Sequence, residues 1–421
     1  MVTDLSQGQT RAGAYKIAWG VALLFYFVEY AARSAPAVMV PELSTSLGID
    51  AVGVSGVVGS YYHTYAAASL LAGAALDYLG AKIPVGLGAA FLGLGCMLFI
   101  APIPAVAELG RLLQGFGSAF AFTGATFLAA RGFSGAVLAT VTGVTQCLGM
   151  LGGSAGQLAV GPLIHGTMGW RVIWGIFAVA CVAMALSLWE VTPREMATSA
   201  GSAKRLGVTA PFKIVLSNPQ SYLCGLVAGL LFVPTTVGSM IWGVAFYQQD
   251  RAFGYEQAVT AAAMVPLGWA IGCPLFGWLA DALPRRKLAL AIGQGVMLGS
   301  IALAGTSATH VVSYLAMLIA GIGSGAAMIP YTIIREVNPD RVKGSAVGVI
   351  NFLTFGITAV IGPIFAKLVG SNLASNTDHA AHFREAAWFW GAIVLLSVCA
   401  TLFLRETGRG RASGTQQRSL A

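Results

Sequence analysis

Tyr26, Glu29, Tyr30 and Arg33 stand three and four residues apart, the spacing at which helical side chains share one face. They lie in an apolar stretch running from residue 14 to about residue 38, where Glu29 is the one carboxylate well inside any apolar segment. Charge at such a position is costly unless it is paired or used. Two readings stay open. In the first, Glu29 accepts a proton or cation and Arg33 binds an anion. In the second, the pair is an i,i+4 ion pair that only neutralises both. They combine if a proton arriving at Glu29 frees Arg33. His63, within Tyr61-Tyr62-His63-Thr64-Tyr65, is read as a buried imidazole. It would either couple protons near neutral pH or sit hydrogen-bonded in a core. Arg111 and Gln114 open another segment, with Arg111 near its outer end; snorkelling to an interface is the plain alternative there.

Further stripes mix polar and packing roles. Thr142, Gln146, Gly149, Gly153 and Gln157 share a face on which the small residues suit close helix contact, and Gln146 is the member expected to reach a polar interior. Thr235, Ser239, Trp242, Phe246 and Gln249 form a polar and aromatic face that suits a wall touching a ligand, although aromatic interface anchors fit Phe246 equally well. Tyr331 follows Pro330, which either exposes a backbone carbonyl or only kinks its helix, and Asn351, Thr354 and Thr358 share another face. The residues expected to contact a small-molecule substrate are therefore Tyr26, Tyr30, Arg33, Gln146, Thr235, Ser239, Trp242, Tyr331 and Asn351. Arg335, Glu336, Arg341 and Lys343 are expected in a solvated loop.

The chain that must position these groups is 57% hydrophobic and 10% charged, far from the roughly one quarter charged that is usual in water-soluble domains. Punctuation by Gly, Pro and polar residues gives twelve apolar segments, beginning near residues 14, 52, 83, 104, 135, 170, 222, 258, 286, 309, 343 and 384. Each approaches or reaches the roughly 20 helical residues that cross a bilayer. These segments predict an all-α integral membrane protein of twelve transmembrane helices, with a six-helix bundle over 1–192, a linker over 193–220 and a second bundle over 221–421. The linker holds Pro193, Arg194, Ser199, Ser202, Lys204 and Arg205. No cleavable leader is read, because the first segment is too long and carries Glu29 and Arg33.

Three motifs recur in order. Gly73-x-x-x-Asp77 matches Gly277-x-x-x-Asp281, Gly115-Phe-Gly117-Ser118 matches Gly321-Ile-Gly323-Ser324, and Gly161-Pro162 matches Gly362-Pro363, at separations of 204, 206 and 201 residues. A nearly constant separation points to repeated halves. With both termini on the cytoplasmic side, the tails and even-numbered loops hold 18 of the 24 lysines and arginines, from Arg11 and Lys16 to Arg409, Arg411 and Arg418. That bias sets the expected orientation. Segments 3, 6, 9 and 12 are almost wholly apolar, so every third helix is expected to face lipid while the others enclose a wet interior.

Gly73-Ala-Ala-Leu-Asp77-Tyr-Leu-Gly80-Ala-Lys82, Gly277-Trp-Leu-Ala-Asp281-Ala-Leu-Pro-Arg285-Arg286-Lys287, Arg111-Leu-Leu-Gln-Gly115 and Gly169-Trp-Arg171 together resemble the major facilitator superfamily of secondary transporters across nearly the whole chain. The resemblance implies two bundles rocking about a central site, with Gly73, Asp77, Lys82, Gly277, Asp281, Arg285 and Arg286 forming a cytoplasmic conformational latch. It also implies a proton-coupling or structural role for Arg111. The first loop has Ala81 and Lys82 where the family usually has two basic residues, and the second lacks a later glycine. Arg33 and Gly169-Trp-Arg171 resemble features of the organic-anion and organophosphate branches, but the matching arginine of the seventh helix is absent.

No paired carboxylates inside a span, phosphate loop, metal-ligand spacing or Ser/His/Asp set is present, so neither an enzyme nor a cofactor is expected. The six cysteines all fall inside apolar segments and read as packing residues. The net charge of +8 is scattered between segments, which disfavours nucleic acid. The expected protein is a monomer in a bacterial inner membrane. It moves a small polar solute, an anion if Arg33 is a ligand, with protons or a counter-substrate as the coupling partner. Export of lipophilic compounds or metal chelates, and a non-transporting sensor on the same scaffold, are the alternatives.

Overall fold

Hydrocarbon offers the backbone no hydrogen bonds, so an apolar chain of this length finds its solution in helices that satisfy their own amides. The computed structural model describes residues 2–166, 168–194, 209–306, 309–339, 342–368 and 379–408. The linker residues 199–202, Lys204 and Arg205, together with Arg341, Arg409, Arg411, Arg418 and the side chains of Arg11 and Asp77, lie outside the described residues. Contacts divide the chain into one unit of Met1–Ala35 and Pro41–Pro211 and another of Pro36–Val40 and Phe212–Ala421.

The first unit contains α1 (Val2–Ser34), α2 (Val40–Leu47), α3 (Ala51–Leu79), α4 (Lys82–Phe99), α5 (Pro104–Gly132), α6 (Gly135–Leu158), α7 (Val160–Gly166), α8 (Trp170–Val191) and α9 (Ala210–Leu216, which ends in the second unit). The second contains α10 (Pro219–Val233), α11 (Gly243–Asp250), α12 (Tyr255–Ala282), α13 (Arg286–Thr306), α14 (His310–Ser324), α15 (Ile329–Val337), α16 (Lys343–Leu368) and α17 (His379–Phe403). Local signals set the ends. Asp50 caps α3 by accepting from the Gly53 amide at 2.8 Å, Pro104 opens α5, and Asn218 accepts from the Gln220 amide at 3.0 Å ahead of Pro219. Gly48 leaves α2 at φ +65°, a conformation that favours glycine, and the chain turns by 102° into α3.

Among the described residues, 11 helical stretches are long and apolar enough to cross a membrane, and the bent pair α2 and α3 makes a twelfth. Five pairings of one unit recur in the other. Helices α3 and α4 pack on α5 as α12 and α13 pack on α14, α1 packs on α6 and α8 as α10 packs on α16 and α17, and α4 meets α8 as α13 meets α17. The repeated glycines explain part of this likeness. A Cβ at Gly115 would run into the Tyr61 carbonyl of α3, and one at Gly117 into the Gly88 carbonyl of α4. Gly321 stands in the same relation to Val265 of α12, and Gly323 to Gly293 of α13. Each duplicated pair thus lets one helix touch the backbones of two neighbours.

Exposure matches the expected period of three most clearly at α8 and α17, whose apolar windows are only 33% buried, against 78% for α1. At α4 the contrast is weak, since its window is 56% buried and that of α6 is 50%. Val179, Leu186, Trp388, Leu402 and Phe403 project from α8 and α17 with half or more of their surface exposed, which suits acyl chains and not water.

The seventh span departs from the expected continuous helix. Pro234 has no N–H to continue the ladder, and the next amides reach back five residues: Met240 to the Thr235 carbonyl at 3.0 Å and Trp242 to that of Val237 at 3.1 Å. The resulting wide turn, Pro234–Ser239, rotates the remainder of the span and takes Gln249 out of the predicted stripe to an exposed position. The tenth span breaks at Gly325–Met328, ahead of Pro330, which sits in the first turn of α15.

Replacing Gly115 or Gly321 with leucine is expected to cost about 1–3 kcal/mol or more through overpacking, read as a fall in thermal unfolding midpoint in detergent. Gly56→Leu, with open space around its Cβ position, should leave the midpoint unchanged.

Candidate functional site

Helix α1 carries its stripe inward. Tyr26, Glu29, Tyr30 and Arg33 are exposed by 3%, 0%, 3% and 1%. Arg33 donates to Glu29 Oε1 from Nε at 2.9 Å and from Nη2 at 2.5 Å, and the Tyr61 hydroxyl donates to the same oxygen. The guanidinium lies over three rings, 4.2 Å from the centre of Tyr30, 4.7 Å from Tyr65 and 5.1 Å from Tyr61, so the cation is held by aromatic faces as well as by the carboxylate. Glu29 Oε2 has no hydrogen-bond partner, and neither has the Ser118 hydroxyl, which is near enough to act on the carboxylate. One carboxylate oxygen is saturated with donors while the other is open.

The ion pair alternative is therefore present in the geometry, and the open Oε2 leaves room for the proton-accepting one. His63 requires correction. It is exposed, because α3 turns Tyr61, Tyr62, Tyr65 and Ser69 into the bundle and residue 63 falls on another face. The group from α3 that meets Glu29 is Tyr61, a residue missed by weighing ionisable side chains alone. The run of tyrosines around His63 carried the signal.

Arg111 does not snorkel. It is fully buried in α5, donates to the Val58 carbonyl at 3.2 and 3.3 Å, to that of Ala32 at 3.3 Å and to Gln114 Oε1 at 2.6 Å, and lies 4.8 Å from the Tyr61 ring centre. It ties α1, α3 and α5 together directly behind the Glu29 site. Gln146 of α6, 7% exposed, accepts from the Tyr26 hydroxyl at 3.2 Å. Gly149 makes room for the Tyr26 ring, and Ser34 donates to the Gly153 carbonyl at 2.6 Å, so this stripe divides between polar contact and packing.

In the second unit the predicted residues separate. Tyr331 donates to Asn351 Oδ1 at 2.6 Å. Thr235 accepts from Trp269 Nε1 at 3.1 Å and Ser239 donates to the Ala262 carbonyl at 2.7 Å, both beneath the wide turn. Trp242, 2% exposed, packs on Phe246 and Phe365 in an aromatic cluster. A wall of helix 7 side chains is thus replaced by two hydroxyls committed to protein partners and an aromatic core.

The charged loop after α12 is anchored within its own unit. Arg286 reaches Asp281 at 3.2 Å and holds Glu336 through two bonds of 2.7 and 3.0 Å, while Glu406 accepts from the Arg286 and Lys287 amides at 2.8 and 3.2 Å. Glu336, expected to be solvated, is instead a partner of the arginine, because α15 ends beside the start of α13. Arg285 and Gly277 are exposed, and Gly73 and Lys82 are half-buried. A further cluster was not anticipated: Asp250 at the end of α11 meets His382 at 2.8 Å and His379 at 3.2 Å. Among the described residues no group of three or more His, Cys, Asp or Glu is placed to hold a metal ion.

Glu29→Leu leaves a buried guanidinium uncompensated and should cost about 3–5 kcal/mol, whereas Glu29→Leu combined with Arg33→Met should recover most of it; thermal unfolding of the three proteins checks this. By contrast Glu336→Ala removes a part-exposed pair and should cost about 1 kcal/mol or less, measured in the same way.

Comparison with known proteins agrees with this architecture. The family model described as Major Facilitator Superfamily matches residues 22–363. MFS-type transporter SLC18B1 of Mus musculus is 25% identical over 405 residues, covering 90% of this chain and 84% of that one. Major facilitator superfamily multidrug transporter FLU1 of Candida albicans is 22% identical over 180 residues, and the match spans 42% of this chain but only 28% of that protein. Among solved structures, the inward-facing, unoccupied form of a bacterial homologue of the human lysosomal transporter Spinster superposes with a TM-score of 0.71 at 15% identity, over 93% of this chain and 96% of that one, a likeness of fold. The chain belongs to the Major Facilitator Superfamily, and so to the membrane transporters and not to the enzymes.

Proposed function

We propose that this protein is a secondary active transporter that moves a small polar, anionic solute by alternating access, with Glu29 as the proton-accepting group and Arg33 as the anion ligand. The observation that carries the reading is the asymmetry of the Glu29 carboxylate: Oε1 takes every donor and Oε2 takes none, inside a site with essentially no exposure. In the closed network the pair is neutral, and a solute anion has nothing to compensate. A proton on Oε2 removes the negative charge, loosens the hold of Glu29 on the guanidinium and leaves a net cation among tyrosine rings. An anion entering then restores neutrality. Proton and anion therefore favour each other's binding, as a symporter requires, and either alone is disfavoured by desolvation. Counter-anion exchange on Arg33 is the same chemistry without the proton.

Arg111 is a positioning residue in this scheme. It fixes the backbones of α1 and α3 on either side of Glu29 and Tyr61. Tyr26 with Gln146 supplies a further polar contact for a solute. The Arg286, Asp281 and Glu336 set serves as the latch, with both termini cytoplasmic. The likeness to the multidrug transporter FLU1 of Candida albicans favours a second reading, extrusion of drug-like compounds, in which Glu29 would neutralise a cationic substrate.

Flux into proteoliposomes tests the scheme. Uptake of an organic anion should rise with an inward proton gradient, and Glu29→Gln should remove that dependence while retaining anion exchange. Arg33→Gln should lower anion uptake about a hundredfold, the worth of a charge-assisted contact of roughly 3 kcal/mol. Gradient-dependent uptake persisting in Glu29→Gln would sink the proton role, and accumulation of lipophilic cations instead of anions would favour extrusion.

A further inference from the structure

Asp250, at the end of α11, is a further carboxylate enclosed by protein. Its side chain has no exposed surface, and both of its oxygens meet imidazoles from the first turn of α17. Oδ2 meets His382 Nδ1 at 2.8 Å, and Oδ1 meets His379 Nδ1 at 3.2 Å. The two histidines stand three residues apart and so share one face of that helix. Their surroundings differ. The His382 ring is fully buried and stacks on Phe246 of α11, with 5.2 Å between centres and 19° between planes, whereas the His379 side chain keeps 51% of its surface exposed. His379 lies just ahead of the apolar stretch Ala381–Phe403, so its exposed face belongs to the membrane boundary and not to the hydrocarbon centre. The three groups form a row, from an exposed imidazole through a buried carboxylate to a buried imidazole.

The number of protons decides the charge of this row. With both rings neutral it carries the negative charge of Asp250, held where water does not reach it. One added proton makes the row neutral and gives the carboxylate a charge-assisted bond. A second proton leaves a net positive charge, which only the half-exposed His379 can keep hydrated. Arg251, the next residue, is near enough to act on Asp250, but its Nη2 donates to the carbonyls of Ala304 and Gly305 at 3.1 and 2.7 Å and its guanidinium lies 4.2 Å from the Phe383 ring centre. The other charged or titratable groups at this end are Tyr247, turned to Ser313, and Glu256, His310, Arg384 and Glu385, all four exposed. Arg251 and Arg384 oppose the added proton, so the row gives it up again as the pH rises.

We infer that Asp250, His379 and His382 form a binding site for one proton, separate from Glu29, with His379 as its contact with water and the Asp250–His382 pair as its buried store. The bound proton strengthens the tie between the end of α11 and the start of α17, and its loss weakens that tie. The site lies within the second unit, uses none of the residues assigned to solute or proton in the first, and does not rest on the transport reading.

The test uses the full chain in nanodiscs with its five histidines labelled with carbon-13 at Cε1, the His382 signal being identified by its loss in His382→Gln. Over pH 5 to 8, the range in which imidazoles change charge, the His382 signal is expected to move from its protonated to its neutral position. Asp250→Asn should lower the proton affinity of His382 about tenfold or more, and Glu29→Gln should leave it unchanged. His379→Gln should slow exchange of the His382 ring proton with water about tenfold. A His382 signal that stays at the neutral position throughout, or that behaves identically in Asp250→Asn, would overturn the assignment. A midpoint displaced by Glu29→Gln would overturn the separateness of the site, and unchanged exchange in His379→Gln would overturn the contact with water. Should Asp250→Asn fail to fold, the wild-type titration and the His379→Gln exchange still decide the matter.

Discussion

A carboxylate and a guanidinium taken out of water in a single helix can persist only if the protein replaces everything that water supplied. Around Glu29 and Arg33 the replacement comes from three helices: the ion pair along α1, the Tyr61 hydroxyl and Tyr65 ring from α3, and the Ser118 side chain from α5. Arg111 then braces that arrangement by binding the carbonyls of α1 and α3, which would otherwise be free to slide past each other. The cost of the charges thereby becomes a constraint on the packing of the whole first bundle. Of the Glu29 carboxylate, Oε2 is left without a hydrogen-bond partner.

The two halves share their backbone logic and differ in their chemistry. Glycines at equivalent places allow equivalent close approaches, α5 onto α3 and α4, α14 onto α12 and α13. On that common frame the first half places charge at its heart and the second places hydroxyls and aromatic rings. The divergence is sharpest where α1 of one half corresponds to α10 and α11 of the other. The former is continuous through its charged stripe, whereas the latter is interrupted by Pro234 and a wide turn, which opens space that side chains do not fill. One duplication has therefore yielded a charged site in one bundle and an apolar slot in the other.

An unsatisfied polar atom marks the charged place. In a bilayer protein such an atom has no water to fall back on, so its retention needs a reason. Glu29 Oε2 has no hydrogen-bond partner, and the proposed proton role rests on that feature.

The amino-acid order by itself determined that the chain lives in a membrane, that it is built of helices whose starts, apart from that of α1 at Val2, are predictable to within about five residues, and that it is repeated, because apolar run length, Gly and Pro punctuation and recurring motifs are local properties. It also determined the stripe Tyr26, Glu29, Tyr30 and Arg33, since helical spacing alone puts those side chains on one face. Tertiary structure decided what that face meets. His63 looked suitable by chemistry but is exposed, while Tyr61, two residues earlier, reaches Glu29; the choice depends on how α3 is rotated about its axis, which packing against α5 sets. Likewise Glu336 joins Arg286 across 50 residues and Asp250 joins His382 across 132. Partners separated by that much chain leave no periodic trace, so only the folded bundle brings them into view.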